Sequence, residues 1–565
     1  MKYLKFGIYE LSALAIIIFA TLLRVVLVAL NWPQTNSDEG TFGIMAMHIA
    51  YRGEHPSFFY GQNYLGPLEA YIGAAFFRVF GVSVFTLRLG NIILFTLFLI
   101  FMYLLTSMLY NKKMALATLF LLSVGSIPVL TMEFIGGYAE ILPLGAAAFL
   151  LAFWLALSYG RDVATRRPWL RNLAFACWGL VVGLGIWSDP IIFPVVVSAG
   201  LLLAVFCWRE LLEKWGGVCL LLGFIIGAFP LISYNLTAPP GQTTLSILLN
   251  LQHPGSSSLI HGQTLLVQQI KGTLLVSIAT ATGNPICLSS ESFLWPTSPP
   301  SLHCTIIRGS WGLGFVILLV VAVFLALRPV WKLRYFFREQ PSFSEEKGTT
   351  IREFARLMLL ASAAITLLIF ALSTIPAVSP ATSSRYLHCL LIATPAFIWP
   401  LWVAASTSGP PTALFAKIRV AFGRGMLMFI GVAFVVGTIS TFSNVPLANA
   451  VTEQQEALVN KLESMGIKHI YTGDYWSCNR VAFQSREQIV CDVINPDLKP
   501  SSDRNRYWPY VLIVQSDPHA SYVLPVADPN TTPIVQNAHL ASQNYLRVDF
   551  EGYVIYQPTE ARAPG

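Results

Sequence analysis

The sequence predicts a polytopic α-helical membrane protein of about eleven spans, with a small α/β domain outside the membrane at its C-terminus. Three observations carry that reading. Hydrophobic residues make up 55% of the 565 residues and charged residues only 12%, about half the ~25% charged share of soluble globular domains. Mean hydropathy is +0.61, which a water-facing surface cannot support. Apolar runs of about 20 residues recur from Leu11 to Ser443, each long enough to cross a hydrocarbon core of roughly 30 Å. A β-barrel is excluded, because its strands would be ~10 residues long with alternating polarity. Disorder is excluded by the abundance of aliphatic and aromatic residues.

The predicted spans are 8–30, 86–110, 114–131, 138–159, 172–188, 190–208, 216–235, 309–327, 357–375, 386–405 and 420–443. With Lys2 and Lys5 placed in the cytoplasm, the inner loops hold Lys112, Lys113, Arg161, Arg166, Arg167, Arg171 and a longer basic set from Arg328 to Arg356. Outer loops before the tail carry only Arg52, Arg78, Arg88, Lys271, Arg308 and Arg385. This positive-inside asymmetry predicts a multi-pass plasma-membrane protein with a cytoplasmic N-terminus. An odd number of spans sends the tail outside. The formal charge of +7 is uneven: from Ala450 onward there are 9 basic and 13 acidic residues, so the first 449 residues carry a net +11. That excess orients loops and gives no reason to expect nucleic acid as a partner. The first span is too long for a signal-peptide core and no Ala-x-Ala site follows it, so it is expected to be retained.

The expected division is a membrane domain, 1–445, with long outer loops at 31–85 and 236–308, and an extracytoplasmic domain, 446–565. Loops of that length are usually functional, which directs attention to the outer face. In the tail, a helix over Thr452–Met465 closes at Gly466. Strands are expected at His469–Thr472, Gln488–Ile494, Tyr510–Val514 and Tyr553–Gln557, on their Val, Ile and Tyr content.

Ionisable residues gather on the outer side. Asp38 and Glu39 are adjacent carboxylates opening a helical segment, Thr41–Tyr51. Either Ser37 or Asp38 is simply an N-cap, with acids favoured by the helix dipole, or the segment places a general-base carboxylate at the membrane–water boundary. Two carboxylates also suit a divalent cation by charge, though two ligands are few. His48, Arg52, Glu54 and His55 precede Tyr60-Gly61-Gln62-Asn63-Tyr64, where the tyrosines read as sugar contacts or as interfacial anchors. Glu133, Glu140 and Asp189 stand at outer span ends; acids at membrane depth usually line a cavity, although Asp189 before Pro190 also reads as a helix cap. Arg385 and Arg88 occupy similar positions, where a guanidinium holds a phosphate bidentately or snorkels to headgroups.

Of the eight cysteines, Cys287 with Cys304 and Cys478 with Cys491 form two close outer pairs. An oxidising exterior makes each a candidate disulfide; four reduced thiols are the alternative. Walker A, GxGxxG, HExxH and GxSxG motifs are all missing, so the energy for any transfer must arrive with the substrate.

These residues resemble the C-type glycosyltransferases, and among them the bacterial members of the protein mannosyltransferase and aminoarabinose transferase group. The likeness rests on Ser37–Asn91 with Gly61-Gln62-Asn63-Tyr64 and Leu87-Arg88-Leu89, on Gly137-Tyr138-Ala139-Glu140, on Trp187-Ser188-Asp189-Pro190 and on Arg385-Tyr386-Leu387. The tail's Gly466-Ile467 and Asp474-Tyr475-Trp476 are similar to tails of some bacterial homologues. The resemblance implies a polyprenyl-phosphate-linked sugar as donor, inverting transfer at the outer face, and a protein, glycan or lipid acceptor. Asp38 would be the general base with Glu39 its neighbour, and Arg385 would hold the lipid phosphate. With no metal-ligand set visible, a requirement for a divalent cation stays open. Rival readings are a transporter or flippase of lipid-linked saccharides, which would favour internal repeats, and a sensor, which would leave the 31–85 loop unexplained.

Overall fold

The computed structural model describes residues 7–134, 136–159, 168–252, 263–283, 301–330, 345–406, 414–542 and 544–559. The chain forms two compact units: Met1–Arg24 with Ile93–Glu133 and Tyr138–Ser443, and Val25–Ile92 with Phe134–Gly137 and Asn444–Gly565. Among the described residues nine helices are long and apolar enough to cross a membrane, or ten if a bent pair counts as one span. The protein is a multi-pass membrane protein.

Most expected spans appear, with informative exceptions. The run 114–131 breaks into helices Lys112–Ser123 and Ile127–Met132, because Gly125 and Pro128 do not support a continuous turn. The run 216–235 breaks at Ala228 and bends by 68° into Phe229–Thr237, with Pro230 in the first turn of the second helix. The run 190–208 yields only a short apolar helical stretch, Pro190–Phe206. In the other direction, Leu265–Thr282, read from sequence as outer loop, is long and apolar enough to cross. Its mean hydropathy is 1.2 against 2.6 for the first span, diluted by Gln268, Gln269 and Lys271.

Two devices hold the first unit together. Helices Pro168–Ser188 and Gly216–Gly227 approach through glycine: a Cβ on Gly179 or Gly223 would lie 2.0 Å from a carbonyl oxygen of the facing helix. Small residues allow this contact where burial against lipid supplies no hydrophobic drive. Buried polar pairs supply the rest. Arg24 grips Glu133 bidentately at 2.9 and 2.8 Å, donates to the Ser123 carbonyl and lies 4.1 Å over the Phe95 ring.

The second unit carries a five-stranded sheet: β1 His469–Thr472, β2 Val490–Val493, β3 Ser521–Pro525, β4 Tyr545–Phe550 and β5 Tyr553–Pro558. Its order is β2-β1-β3-β5-β4. β1 pairs in parallel with β2 and β3, whereas β5 runs antiparallel to β3 and β4. The β4–β5 hairpin turns on Glu551 and Gly552, both left-handed at φ 41° and 82°, as a tight two-residue turn requires. Tyr510–Val514, expected as a strand, instead lies in helix Trp508–Ser516. Its buried residues are Tyr510, Val511 and Val514, a helical spacing, and Pro509 fits the first turn. Cys478 and Cys491 form a disulfide 13 residues apart, a closure worth about 3 kcal/mol in the chain-entropy model. It ties helix Tyr475–Gln484 to β2.

Helix Ser37–Met47 packs on helix Tyr475–Gln484 in the same unit. A Cβ on Gly40 would stand 2.6 Å from the Asn479 carbonyl oxygen, and one on Gly43 would stand 2.5 Å from the Phe483 ring.

Two outcomes follow from this packing. Arg24→Met leaves Glu133 buried without its counter-ion and should cost about 3–5 kcal/mol, while the double change Arg24→Met/Glu133→Met should regain most of it. Thermal unfolding of the detergent-purified protein compares the two. Gly40→Ala should destabilise by about 1–3 kcal/mol through overpacking, whereas Gly314→Ala, whose Cβ meets nothing within 4 Å, should be near neutral in the same assay.

Candidate active site

Asp38 lies in the first turn of helix Ser37–Met47. The N-cap is Asn36, whose side chain accepts from the Glu39 amide at 2.9 Å, so neither Ser37 nor Asp38 is spent on capping. Of the eleven residues of this helix, Asp38 alone is not buried. Its Oδ1 accepts the Tyr475 hydroxyl and stands 3.7 Å from Nη2 of Arg506. Arg506 Nε donates to the Tyr475 oxygen at 2.9 Å. The Arg506 guanidinium lies 5.0 Å over the Tyr475 ring and 5.7 Å over Phe59. With its oxygen turned inward, the Gln62 carboxamide accepts from both Nη atoms at 3.0 Å, and Tyr64 is within electrostatic reach of Arg506. Burial pushes the Tyr475 hydroxyl well above its ordinary pKa, and the Asp38 charge adds to this. Tyr475 therefore remains a donor.

Glu39 points the opposite way. Arg88 grips it at 2.5 and 2.8 Å, with both side chains at most 2% exposed. This departs from the expectation of Arg88 as a phosphate ligand and of Glu39 as an accessible carboxylate: each is committed to the other, because neither charge is tolerable alone in that core. The arrangement also does not fit a divalent cation bridging Asp38 and Glu39. Among the described residues, no group of three or more His, Cys, Asp or Glu side chains could hold a metal ion. Glu69, fully buried, accepts from Asn91 at 2.8 Å and from the Gly137 amide at 3.1 Å, and its burial raises its pKa.

A second polar cluster lies in the same unit. His55 is exposed, while His48 is fully buried. The Tyr60 hydroxyl donates to Glu54 at 2.7 Å, so its oxygen is left to accept from His48 Nδ1 at 2.8 Å. His48 Nε2 donates to Glu487 at 2.8 Å. Glu487 also accepts from Arg52 at 2.7 Å and Tyr510 at 2.5 Å. Burial works against the Glu487 carboxylate, but the bonds from His48 and Tyr510 and the neighbouring charges hold its pKa below the ordinary range.

In the first unit, Arg385 lies 5.6 Å over the Tyr138 ring and 5.4 Å over Tyr386, within Coulombic reach of Asp189. Asp189 is buried and does cap the turn Pro190–Ile192, accepting from the Ile191 amide at 2.9 Å. Glu140 is completely buried and stands at the N-cap position of helix Ile141–Ser158. Of the predicted loop disulfide, Cys287 lies outside the described residues. Tyr475 and Arg506 were not singled out from the sequence: they lie 437 and 468 positions from Asp38, and only the Asp474-Tyr475-Trp476 cluster hinted at the first.

The Glu487 contacts set a pH dependence. A carboxyl with a depressed folded pKa contributes stability above its unfolded value, here near 4.5, and loses that contribution as pH falls through the folded value. Glu487→Gln should therefore lower the melting temperature at pH 7, with the deficit closing as the pH falls below 4.5. A deficit of equal size at both pH values would contradict this.

No protein-family profile matches the sequence, and no curated protein matches it. Solved structures do match. ArnT from Cupriavidus metallidurans bound to undecaprenyl phosphate aligns over 98% of this chain and 99% of its own, at 13% identity and a TM-score of 0.55. The apo state of ArnT from the same organism aligns over 95% and 97%, at 11% identity and a TM-score of 0.50. The apo oligosaccharyltransferase of Archaeoglobus fulgidus aligns over 97% of this chain and 74% of its own, at 13% identity and a TM-score of 0.45. The chain has the fold of ArnT.

Proposed function

We propose that this protein transfers a hexosyl or pentosyl group from a polyprenyl-phosphate-linked donor to an acceptor hydroxyl at the outer face of the plasma membrane, with inversion. The observation that carries the reading is Asp38, the single residue of its helix that is not buried, held by Tyr475 beside Arg506. The fold supports it, since ArnT has been solved with undecaprenyl phosphate. In the reaction, the acceptor oxygen bonds to the anomeric carbon as the bond from that carbon to the carrier phosphate oxygen breaks. The acceptor proton passes to Asp38, and the lipid phosphate leaves with the electron pair.

Arg385 is our candidate for holding that phosphate, with its guanidinium oriented by Tyr138 and Tyr386 and with Asp189 and Glu140 in the same unit. Glu39 acts indirectly, through Arg88. Tyr64 is proposed as a sugar or acceptor contact beside Arg506, whereas exposed His55 has no assigned step. Membrane lipids surround the apolar spans within residues 1–445, and residues 446–565 form the extracytoplasmic domain that supplies Tyr475 and Arg506. The basic inner loops support this orientation. The acceptor is a protein, glycan or lipid hydroxyl.

Purified protein in vesicles, given radiolabelled polyprenyl-phosphate sugars, should release label from the lipid. General-base assistance is worth about 10²–10⁴-fold, so Asp38→Asn should lose activity on that scale while inserting normally. Near-normal turnover by this variant would overturn the proposal.

A further inference from the structure

The contacts made to Asp38 come from residues far along the chain, and they are asymmetric. Oδ1 receives the Tyr475 hydroxyl and faces Arg506. No hydrogen bond to Oδ2 is made among the described residues, and the side chain keeps 21% of its exposure. Arg506 itself is restrained. Its Nε is spent on the Tyr475 oxygen at 2.9 Å, its Nη atoms face the Gln62 carboxamide at 3.0 Å, and its plane lies against Phe59 and Tyr475. At 3.7 Å from Oδ1 it lies beyond hydrogen-bond distance, so it supplies charge without occupying a lone pair. Gly61, left-handed at φ 74°, lets the loop backbone pass beside Arg506, where a Cβ would meet it at 3.5 Å.

We infer that Tyr475 and Arg506 are positioning residues for transfer: together they fix the Asp38 carboxylate by one oxygen and present the other oxygen to the acceptor hydroxyl. This rests on the reading of Asp38 as the general base. Each part follows from its chemistry. The Tyr475 hydroxyl holds one carboxylate oxygen by a directed hydrogen bond, and Arg506, braced by Gln62, holds that hydroxyl in turn. Tyr475 suits the first task because burial, then the charge of Asp38, hold its own proton in place. Burial works against the Arg506 charge, but the Tyr475 and Asp38 oxygens outweigh it and its pKa ends raised. A carboxylate free to rotate would lose its aim at the acceptor, and misplacement of about 1 Å can cost 10²-fold in rate.

The test is the split between kcat and KM for sugar transfer in reconstituted vesicles. Tyr475→Phe keeps the ring and removes the donor, and Arg506→Gln removes the charge. Each should lower kcat about 10-fold or more while leaving the donor KM within about two-fold. Arg506→Lys, which restores a cation without the fork, should return part of the lost kcat. Residues with a merely structural role would lower the amount of folded protein and leave kcat per folded molecule near wild type, and that result would overturn the inference. Should Tyr475→Phe fail to insert, the Arg506→Gln and Arg506→Lys pair decides alone. Asp38→Asn separates the two levels. If it keeps near-normal turnover, the general-base reading fails first. If it is inactive while the other variants keep near-normal kcat, only the role of Tyr475 and Arg506 fails.

Discussion

The buried ion pair between Glu39 and Arg88 fixes the rotation of helix Ser37–Met47, and the exposure of Asp38 depends on that rotation. Successive residues on an α-helix point about 100° apart. With Glu39 held inward by two hydrogen bonds, its predecessor is turned away from the core. Rotating the helix to bury Asp38 would pull a carboxylate off its cation and leave both charges in an apolar setting, a loss of several kcal/mol. Gly40 and Gly43 act with the pair, since the face they present admits the Asn479 backbone and the Phe483 ring but no side chain of their own.

Much of the fold could be read from the sequence, because bilayer thickness imposes a length on every span. The readings that failed did so for local reasons. Glycine and proline broke 114–131 and 216–235 inside apolar runs, and polar residues disguised Leu265–Thr282. Tyr510–Val514 has the composition of a strand but the burial spacing of a helix. Composition alone cannot weigh one against the other.

The candidate site was only half readable. Asp38 stood out because a carboxylate beside a membrane span needs a reason to be there. Its neighbour's commitment to Arg88 was not apparent, since a pairing across 49 positions leaves no periodic trace. Tyr475 and Arg506 left less still. Arg506 sits in a polar stretch, Ser501–Tyr507, where nothing distinguishes one arginine from Arg504 before it. The His48 cluster shows the same limit: Tyr60 is near in sequence, but Glu487 and Tyr507 come from far along the chain, and only folding brings them to one buried ring.

The 437-residue separation between Asp38 and Tyr475 has a consequence in time. Chains are made from the N-terminus, so every predicted span is synthesised before Tyr475 leaves the ribosome. Throughout that interval the helix with Gly40 and Gly43 has no partner for its bare face, and the carboxylate has neither its donor nor its cation. Assembly of the site is thus among the last events in the life of the nascent chain. A chain that stops between Ser443 and Tyr475 carries the predicted spans without the groups that hold Asp38 in place.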